Sequence, residues 1–147
     1  MKNIRLTKQF TLEMAHALEG YDGKCRHIHG HSYILYVTIM GTPCNDKLNP
    51  KYGMVMDFGE LKAIVNKHII DKLDHALILC NDAVLSTELQ QQYGSIILTD
   101  YQPTCENMII NFAGILKNEL PATVKLHSLR LHETATSYAE WYAADNK

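Results

Sequence analysis

What this sequence lacks excludes several classes of protein. No apolar stretch approaches the roughly 18 residues that a membrane span requires, and no apolar signal-peptide core follows the N-terminal residues. The formal net charge is −2 and there is no run of basic residues, so nothing indicates binding to nucleic acid or to an anionic membrane. These absences predict a cytoplasmic protein whose partners include neither a membrane nor a nucleic acid.

Paired cysteine motifs are also missing. The 4 cysteines are scattered along the chain without a CxxC pair, so in a reducing compartment they are expected to be free thiols. A content of 46% hydrophobic and 20% charged residues in a chain of 147 is typical of a globular protein that buries a core. We therefore expect a single domain over residues 1–147.

The hydrophobic pattern predicts the order strand, strand, helix, helix, strand, strand. The strands are predicted at residues 4–16, 31–41, 124–134 and 138–143. Asp57 and Thr104 are the predicted N-caps of the two helices, and the first helix is expected to end near Leu73. Between the helices, a short helix over Leu85–Gln92 and a short extended piece at Ile96–Leu98 are expected.

This order of elements predicts the fold class. It is typical of an α+β protein in which a four-stranded antiparallel sheet carries two helices on one face. Such a sheet leaves its other face and its edges without cover, and an uncovered edge tends to pair with another chain. We therefore expect a homo-oligomer.

Histidines at the start of the second strand are the strongest functional signal. His29 and His31 are two residues apart, so a strand would present both imidazoles on one face, with only Gly30 between them. His16 lies near the end of the first strand, and a hairpin would bring it across from them. Three converging imidazoles predict an open zinc site of the catalytic kind. His27 has the same parity but lies in the loop, which makes it a weaker candidate ligand.

Two further groups have more than one interpretation. Cys25 precedes His29 by four residues and has three possible roles: a fourth zinc ligand, a catalytic base, or a buried bystander. The pair Asp74-His75 places a carboxylate beside an imidazole, which can fix its tautomer and raise its basicity if the side chains meet. Alternatively, the histidine of this pair simply lies at the C-terminus of a helix, where it interacts favourably with the helix dipole.

Carboxylates and a helix start supply the remaining candidates. Glu133 shares strand parity with Leu129 and Leu131, so it points to an apolar side and needs a partner with several donors or a positive charge. That partner is either the amide-and-amine edge of a heterocycle or a cation on another strand or subunit. Thr104 and Glu106 begin the second helix, where N–H groups either hold a substrate or are simply capped.

The order of these motifs resembles the 6-pyruvoyl-tetrahydropterin synthase / 6-carboxy-tetrahydropterin synthase family. The matching residues are His16, Cys25-x-x-x-His29-Gly-His31, Asp57-Phe58, Leu73-Asp74-His75, Pro103-Thr104-x-Glu106 and Glu133-Thr134. The resemblance implies the tunnelling fold, in which subunits join their sheets into a barrel. It also implies trimers stacked as hexamers, with the active sites at subunit interfaces.

The resemblance also implies roles for the candidate residues. The matched histidines bind zinc, namely His16, His29 and His31. Cys25 is implied to be a catalytic base or acid, and Asp74 and His75 a proton relay. Glu133 is implied to anchor the pterin ring of the substrate.

The three-residue gap between Cys25 and His29 resembles the branch of the family that serves queuosine biosynthesis. The implied reaction converts 7,8-dihydroneopterin triphosphate to 6-carboxy-tetrahydropterin, acetaldehyde and triphosphate. A pyruvoyl synthase or a related enzyme that cleaves the same side chain is the alternative, and a non-catalytic pterin- or zinc-binding module is a third hypothesis. The stretch between His75 and Pro103 looks longer than in compact family members, which predicts a difference in a loop near the site or in the oligomer contacts.

Overall fold

A computed structural model describes residues 2–83 and 86–147. The strands of this part of the chain are β1 (Ile4–His16), β2 (His29–Gly41), β3 (Leu77–Cys80), β4 (Ile96–Thr99), β5 (Val124–His132) and β6 (Tyr138–Tyr142). Helix α1 (Phe58–Val65) continues through a π-helical turn (Asn66–Ile70) into α2 (Asp71–Leu73). Two further helices are α3 (Ser86–Tyr93) and α4 (Cys105–Glu119), and a 3₁₀ turn, Lys24–Arg26, lies between β1 and β2.

All of these strands belong to one mixed sheet with the order β4-β3-β1-β2-β5-β6. The four strands predicted from the pattern are present, and each neighbouring pair among them is antiparallel. The predicted sheet is too small, because β3 pairs with β1 and β4 with β3 as parallel neighbours. The extended piece predicted at Ile96–Leu98 is confirmed as β4, whereas β3 was not predicted. Strand β3 has only four residues, Leu77–Cys80. So short an apolar run shows no period of its own.

The predicted boundaries differ from the structure by a few residues. Strand β2 begins two residues earlier than expected, since Gly30 and His29 already pair with β1. Strand β5 ends at His132, so Glu133 lies just beyond it. The helix predicted over Leu85–Gln92 is present as α3, although Leu85 itself lies outside the described residues.

Both predicted helix caps are confirmed. The Asp57 carboxylate accepts a hydrogen bond from the backbone N–H of Gly59, and the Thr104 hydroxyl accepts one from the N–H of Asn107. The helix that starts after Asp57 reaches Leu73 as expected, but only by way of the π-helical turn.

The core lies between one face of the sheet and the helices. Alternate residues of β1 and β2, such as Leu12 and Leu35, are buried against α1 and α4, which contribute Leu61, Met108 and Phe112. The residues that alternate with them are more exposed and face the other side, and on β1 these are the polar residues Gln9, Thr11 and Glu13. This arrangement confirms the α+β class with helices on one face. Among the described residues, no helix combines the length and apolarity needed to cross a membrane.

Replacing Phe112 by Ala is expected to lower the free energy of unfolding by about 3–5 kcal/mol, because the ring is buried in the core and its loss leaves a cavity. Urea denaturation followed by circular dichroism measures the change. Ile110 lies on the same helix but is 58% exposed, so Ile110→Ala should change the value by less than about 0.5 kcal/mol. Equal losses in the two variants would contradict this assignment of the core.

Candidate metal centre and the residues around it

The strand register brings the three predicted histidines together. In the β1–β2 hairpin His16 pairs directly with His29, and His31 pairs with Met14. Gly30 allows this close pairing, because a Cβ atom there would lie 3.3 Å from the backbone oxygen of Met14. Residues two apart on β2 point to one face, so both of its imidazoles face the same side as His16.

The three rings form a compact cluster. Their centroids are 4.6 Å apart for His16 and His29, 4.9 Å for His29 and His31, and 5.3 Å for His16 and His31. One ring nitrogen from each lies within 4.8 Å of the other two. A tetrahedral ion with metal–nitrogen distances of about 2.0–2.1 Å needs nitrogens roughly 3.3 Å apart. The cluster is therefore close to the size that a metal ion requires.

Backbone carbonyls fix the tautomers of two of these rings. His16 Nδ1 donates to the carbonyl oxygen of Pro103 at 2.7 Å, and His29 Nδ1 donates to that of His27 at 2.7 Å. Because a carbonyl can only accept, the proton of each neutral ring is on Nδ1 and the lone pair is on Nε2. The two Nε2 atoms face each other at 3.1 Å. Metal-binding histidines typically hold their second nitrogen in this way.

Two lone pairs in contact need a cation between them. Burial lowers the pKa of His16, which disfavours supplying that cation as a proton on the ring, although the carbonyl of Pro103 acts in the opposite direction. His31 Nε2 is buried and finds no hydrogen-bond partner in the described part of the chain. A metal ion would satisfy all three nitrogens at once, so the donor set fits a metal of the kind that imidazole prefers.

Glu133 reaches the cluster from the turn after β5. Its Oε1 lies 3.5 Å from His16 Nε2 and 3.6 Å from His31 Nε2, and it accepts a hydrogen bond of 3.4 Å from the hydroxyl of Tyr33. Glu133 therefore points to the apolar side, as its parity predicted. Burial, followed by the Glu133 charge, raises the pKa of Tyr33, so this phenol stays protonated and donates.

Tyr33 is a residue that the sequence reasoning missed. It is buried, and its ring meets those of His31 and His16 edge-on at centroid distances of 5.4 and 6.2 Å. It therefore contacts two candidate ligands and the carboxylate at the same time. Its position two residues after His31, on the same face of β2, was the available signal.

Cys25 lies half-buried in the 3₁₀ turn, where its carbonyl accepts from the N–H of Leu18 at 2.9 Å. In the part of the chain that is described, its thiol is outside the cluster that could hold a metal. It lies near enough for its charge to contribute to the raised pKa of Tyr33. The placement does not favour a fourth ligand at rest.

Asp74 and His75 meet as the sequence interpretation required. The Asp74 carboxylate accepts from the N–H of Glu13 at 2.7 Å and contacts His75 Nδ1 at 3.1 Å. An irregular backbone allows this, since His75 has a φ of 63°, in the left-handed region. The Glu13 N–H and, to a lesser extent, His75 lower the pKa of Asp74, while partial burial opposes them.

His75 lies away from the core, with 79% of its side chain exposed. It lines a cleft of about 580 Å³ that is also lined by His31 and Ser32. Leu89 and Tyr93 of α3 form another part of the wall. The long segment between β3 and α4 thus shapes the surface beside this pair.

Thr104 and Glu106 lie at the start of α4, next to the histidine cluster. Thr104 caps the helix, Glu106 is exposed in the first turn, and the Pro103 carbonyl that precedes them holds His16. Cys105 is buried between them and its thiol donates to the Leu131 carbonyl at 3.3 Å. Burial raises the pKa of this thiol to about 11, so it is a poor candidate nucleophile.

Comparison with known proteins identifies the family. The model of the family described as "6-pyruvoyl tetrahydropterin synthase" matches residues 5–144. The chain belongs to that family. A relative from Haemophilus influenzae named 6-carboxy-5,6,7,8-tetrahydropterin synthase is 36% identical over 142 residues, covering 94% of this chain and 98% of the relative.

Solved structures with low sequence identity share the fold of this chain. An uncharacterised protein from Wolinella succinogenes has a TM-score of 0.78 at 22% identity and covers 97% of this chain and 99% of its own. The 6-pyruvoyl tetrahydropterin synthase of Caenorhabditis elegans has a TM-score of 0.68 at 23% identity, with 97% of each chain covered. These likenesses confirm the tunnelling fold that the resemblance implied.

Asp74→Asn is expected to reduce stability at neutral pH, because the Asp74 carboxylate has a pKa below its ordinary 3.8 in the folded chain. A group whose pKa is lowered by folding stabilises the protein above its unfolded pKa and loses that contribution as the pH falls through the folded one. The difference in the free energy of unfolding between wild type and variant should therefore shrink as the pH falls below 3.8. Urea denaturation at a series of pH values measures it.

Asp71→Asn is the matched control, since Asp71 is exposed on α2 and its removal takes away a charge of the same sign. This variant should show little change of stability at any of these pH values. A difference for Asp74→Asn that stays constant down to low pH would contradict a role for the ionised carboxylate.

Proposed function

We propose that this chain is a zinc-dependent 6-carboxy-5,6,7,8-tetrahydropterin synthase that acts in queuosine biosynthesis. With one molecule of water, it converts 7,8-dihydroneopterin triphosphate to 6-carboxy-tetrahydropterin, acetaldehyde and triphosphate, which makes it a carbon–carbon lyase acting on a pterin. The similarity to the Haemophilus influenzae relative of that name over nearly the whole of both chains is the observation that carries the proposal. The histidine cluster supports its chemical part.

In this proposal His16, His29 and His31 hold the zinc ion. When bound, zinc supplies a Lewis acid for the oxygens of the substrate's side chain. The carbonyls of Pro103 and His27 keep the first two rings in the tautomer that leaves Nε2 free. Three nitrogen ligands leave a position open for substrate, as in catalytic rather than structural zinc sites.

The proton transfers are assigned to groups beside the metal. We assign Cys25 to one side of the reacting carbon chain as the base or acid, and His75, held by Asp74, to the other. Glu133 orients the pterin ring, because its carboxylate can accept from the amide and amine of the heterocycle. Thr104 and Glu106 are assigned to substrate binding at the start of α4.

The exposure of His75 supports a site shared between subunits. Strand β1 pairs with β3 only at Ala15 and His16, so in the described chain most of its outer edge has no strand beside it. Within the described residues, strand β6 pairs with β5 alone. Two such edges can pair between copies and close a barrel, which supports a homo-oligomer, trimeric or hexameric, with interface active sites.

A 6-pyruvoyl tetrahydropterin synthase is the second candidate, since the matching family model carries that description. It would release triphosphate by breaking carbon–oxygen bonds without shortening the carbon chain. A pterin- or zinc-binding module without activity is the third. The assigned proton-transfer groups, Cys25 and the Asp74–His75 pair, argue against the third.

Purified protein is expected to contain roughly one zinc ion per subunit, measured by inductively coupled plasma mass spectrometry. His29→Ala should lose most of the metal, because the cluster loses one of three ligands. Cys25→Ala should keep the metal and lose turnover, because the thiol is a proton carrier outside the ligand set. Metal loss in Cys25→Ala would instead make this cysteine a ligand.

Incubation of the protein with 7,8-dihydroneopterin triphosphate is expected to yield acetaldehyde and 6-carboxy-tetrahydropterin, identified by mass spectrometry. Cys25→Ala treated in the same way is the control for uncatalysed breakdown. Release of triphosphate without acetaldehyde would indicate the pyruvoyl synthase instead. Tight binding of the pterin without any product would indicate the non-catalytic module.

A further inference from the structure

The sheet face opposite the core has a polar pocket of about 350 Å³. Its lining includes Arg5 and Thr7 of β1, Thr38 of β2, and His127 and Ser128 of β5. Arg130, Glu140 and Tyr142 line it as well, and we call the whole pocket the Arg5 pocket. Arg5 and His16 are about 37 Å apart along β1 at ~3.4 Å per residue, so this pocket is separate from the metal centre of the same chain.

A β-bulge builds the pocket. The pairing of β2 with β5 shifts between Thr38 and Ile39, which pair with Ser128 and Leu126, so His127 is the extra residue. A bulge redirects the side chains at the inserted position. Here both His127 and Ser128 line the pocket rather than lying on opposite faces of the sheet.

The charges of the pocket are not balanced. Glu140, its one acidic lining residue, accepts from Arg130 Nε and Nη2 at 2.8 Å each and from the Tyr142 hydroxyl at 3.1 Å. Its charge is therefore matched by Arg130. The positive charge of Arg5 is left without a counter-charge, because Arg5 makes no ion pair with any other described residue. Burial and then the Arg5 charge lower the pKa of His127, so Arg5 and a protonated His127 repel each other.

The pocket also offers donors to a ligand. Thr7 and Thr38 share one hydrogen bond of 2.8 Å between their hydroxyls, so one of the two hydrogens is left over. The guanidinium of Arg5, the hydroxyl of Ser128 and the ring N–H of His127 can all donate toward the same space. Several donors around one uncompensated positive charge match a tetrahedral oxyanion.

We propose that the Arg5 pocket is a binding site for a small phosphate-bearing anion, with Arg5, Ser128 and His127 as its contacts. The ligand is inorganic phosphate or the terminal phosphate of a polyphosphate, which share the same chemistry. This inference does not depend on the proposed enzymatic function, because it uses neither the histidine cluster nor the residues around it.

Isothermal titration calorimetry in a buffer free of oxyanions tests the proposal with the intact chain and three probes: inorganic phosphate, triphosphate and glutamate. Saturable binding of phosphate or triphosphate is expected, and the tighter of the two identifies the source of the ligand. Arg5→Gln should weaken it at least about tenfold, since a charged hydrogen-bond donor is lost. Lys125→Gln is the matched control, because Lys125 is an exposed cation on β5 outside the pocket.

Nuclear magnetic resonance of the histidine side chains supplies a second readout. Phosphate should raise the pKa of His127, because a neighbouring anion favours the protonated ring, with Arg5, Arg130 and Glu140 as the other charged groups facing it. Absence of saturable phosphate binding in wild type would overturn the proposal, as would equal losses in Arg5→Gln and Lys125→Gln. Binding of glutamate alone would mean that the pocket receives a carboxylate, for example from another copy, which also overturns it.

Discussion

Two imidazole nitrogens that both carry lone pairs, His16 Nε2 and His29 Nε2, face each other at 3.1 Å, and the candidate centre depends on how that contact is resolved. Neither ring can turn its proton inward without giving up a hydrogen bond of 2.7 Å to a backbone carbonyl. His31 adds a third buried nitrogen without a hydrogen-bond partner among the described residues. A metal cation resolves both problems, because it accepts lone pairs from all three nitrogens and carries the positive charge that burial disfavours on the His16 ring.

The hairpin register is what places these nitrogens. A slip of one residue between β1 and β2 would move His29 and His31 to the opposite face, away from His16 and from the buried side of the sheet. The core prevents such a slip, since Leu35 and Val37, which are buried on the same face of β2 as the two histidines, would then also be exposed. The same residues that stabilise the fold therefore hold the three histidines in position, and the opposite face is left free for a different polar surface.

Local sequence patterns were sufficient to predict that the three histidines converge and that Glu133 points toward them. The period of two along each strand carries this information, and a hairpin needs no long-range knowledge. The carbonyl of Pro103 was not predictable as a partner of His16, because Pro103 lies far along the chain and any backbone carbonyl can accept a hydrogen bond. Strand β3 was not predicted because it is too short to show a period. Without its pairing with β1, the contact of the Asp74 carboxylate with the N–H of Glu13 could not be predicted either.

Anomalous X-ray diffraction from crystals of the purified protein, measured on both sides of the zinc absorption edge, tests the central claim most directly. The account predicts one strong peak about 2.0–2.1 Å from a ring nitrogen of each of His16, His29 and His31, with the Cys25 sulfur outside bonding distance. A cluster without an anomalous peak in protein that contains zinc, or a peak bonded to Cys25 in place of a histidine, would contradict it.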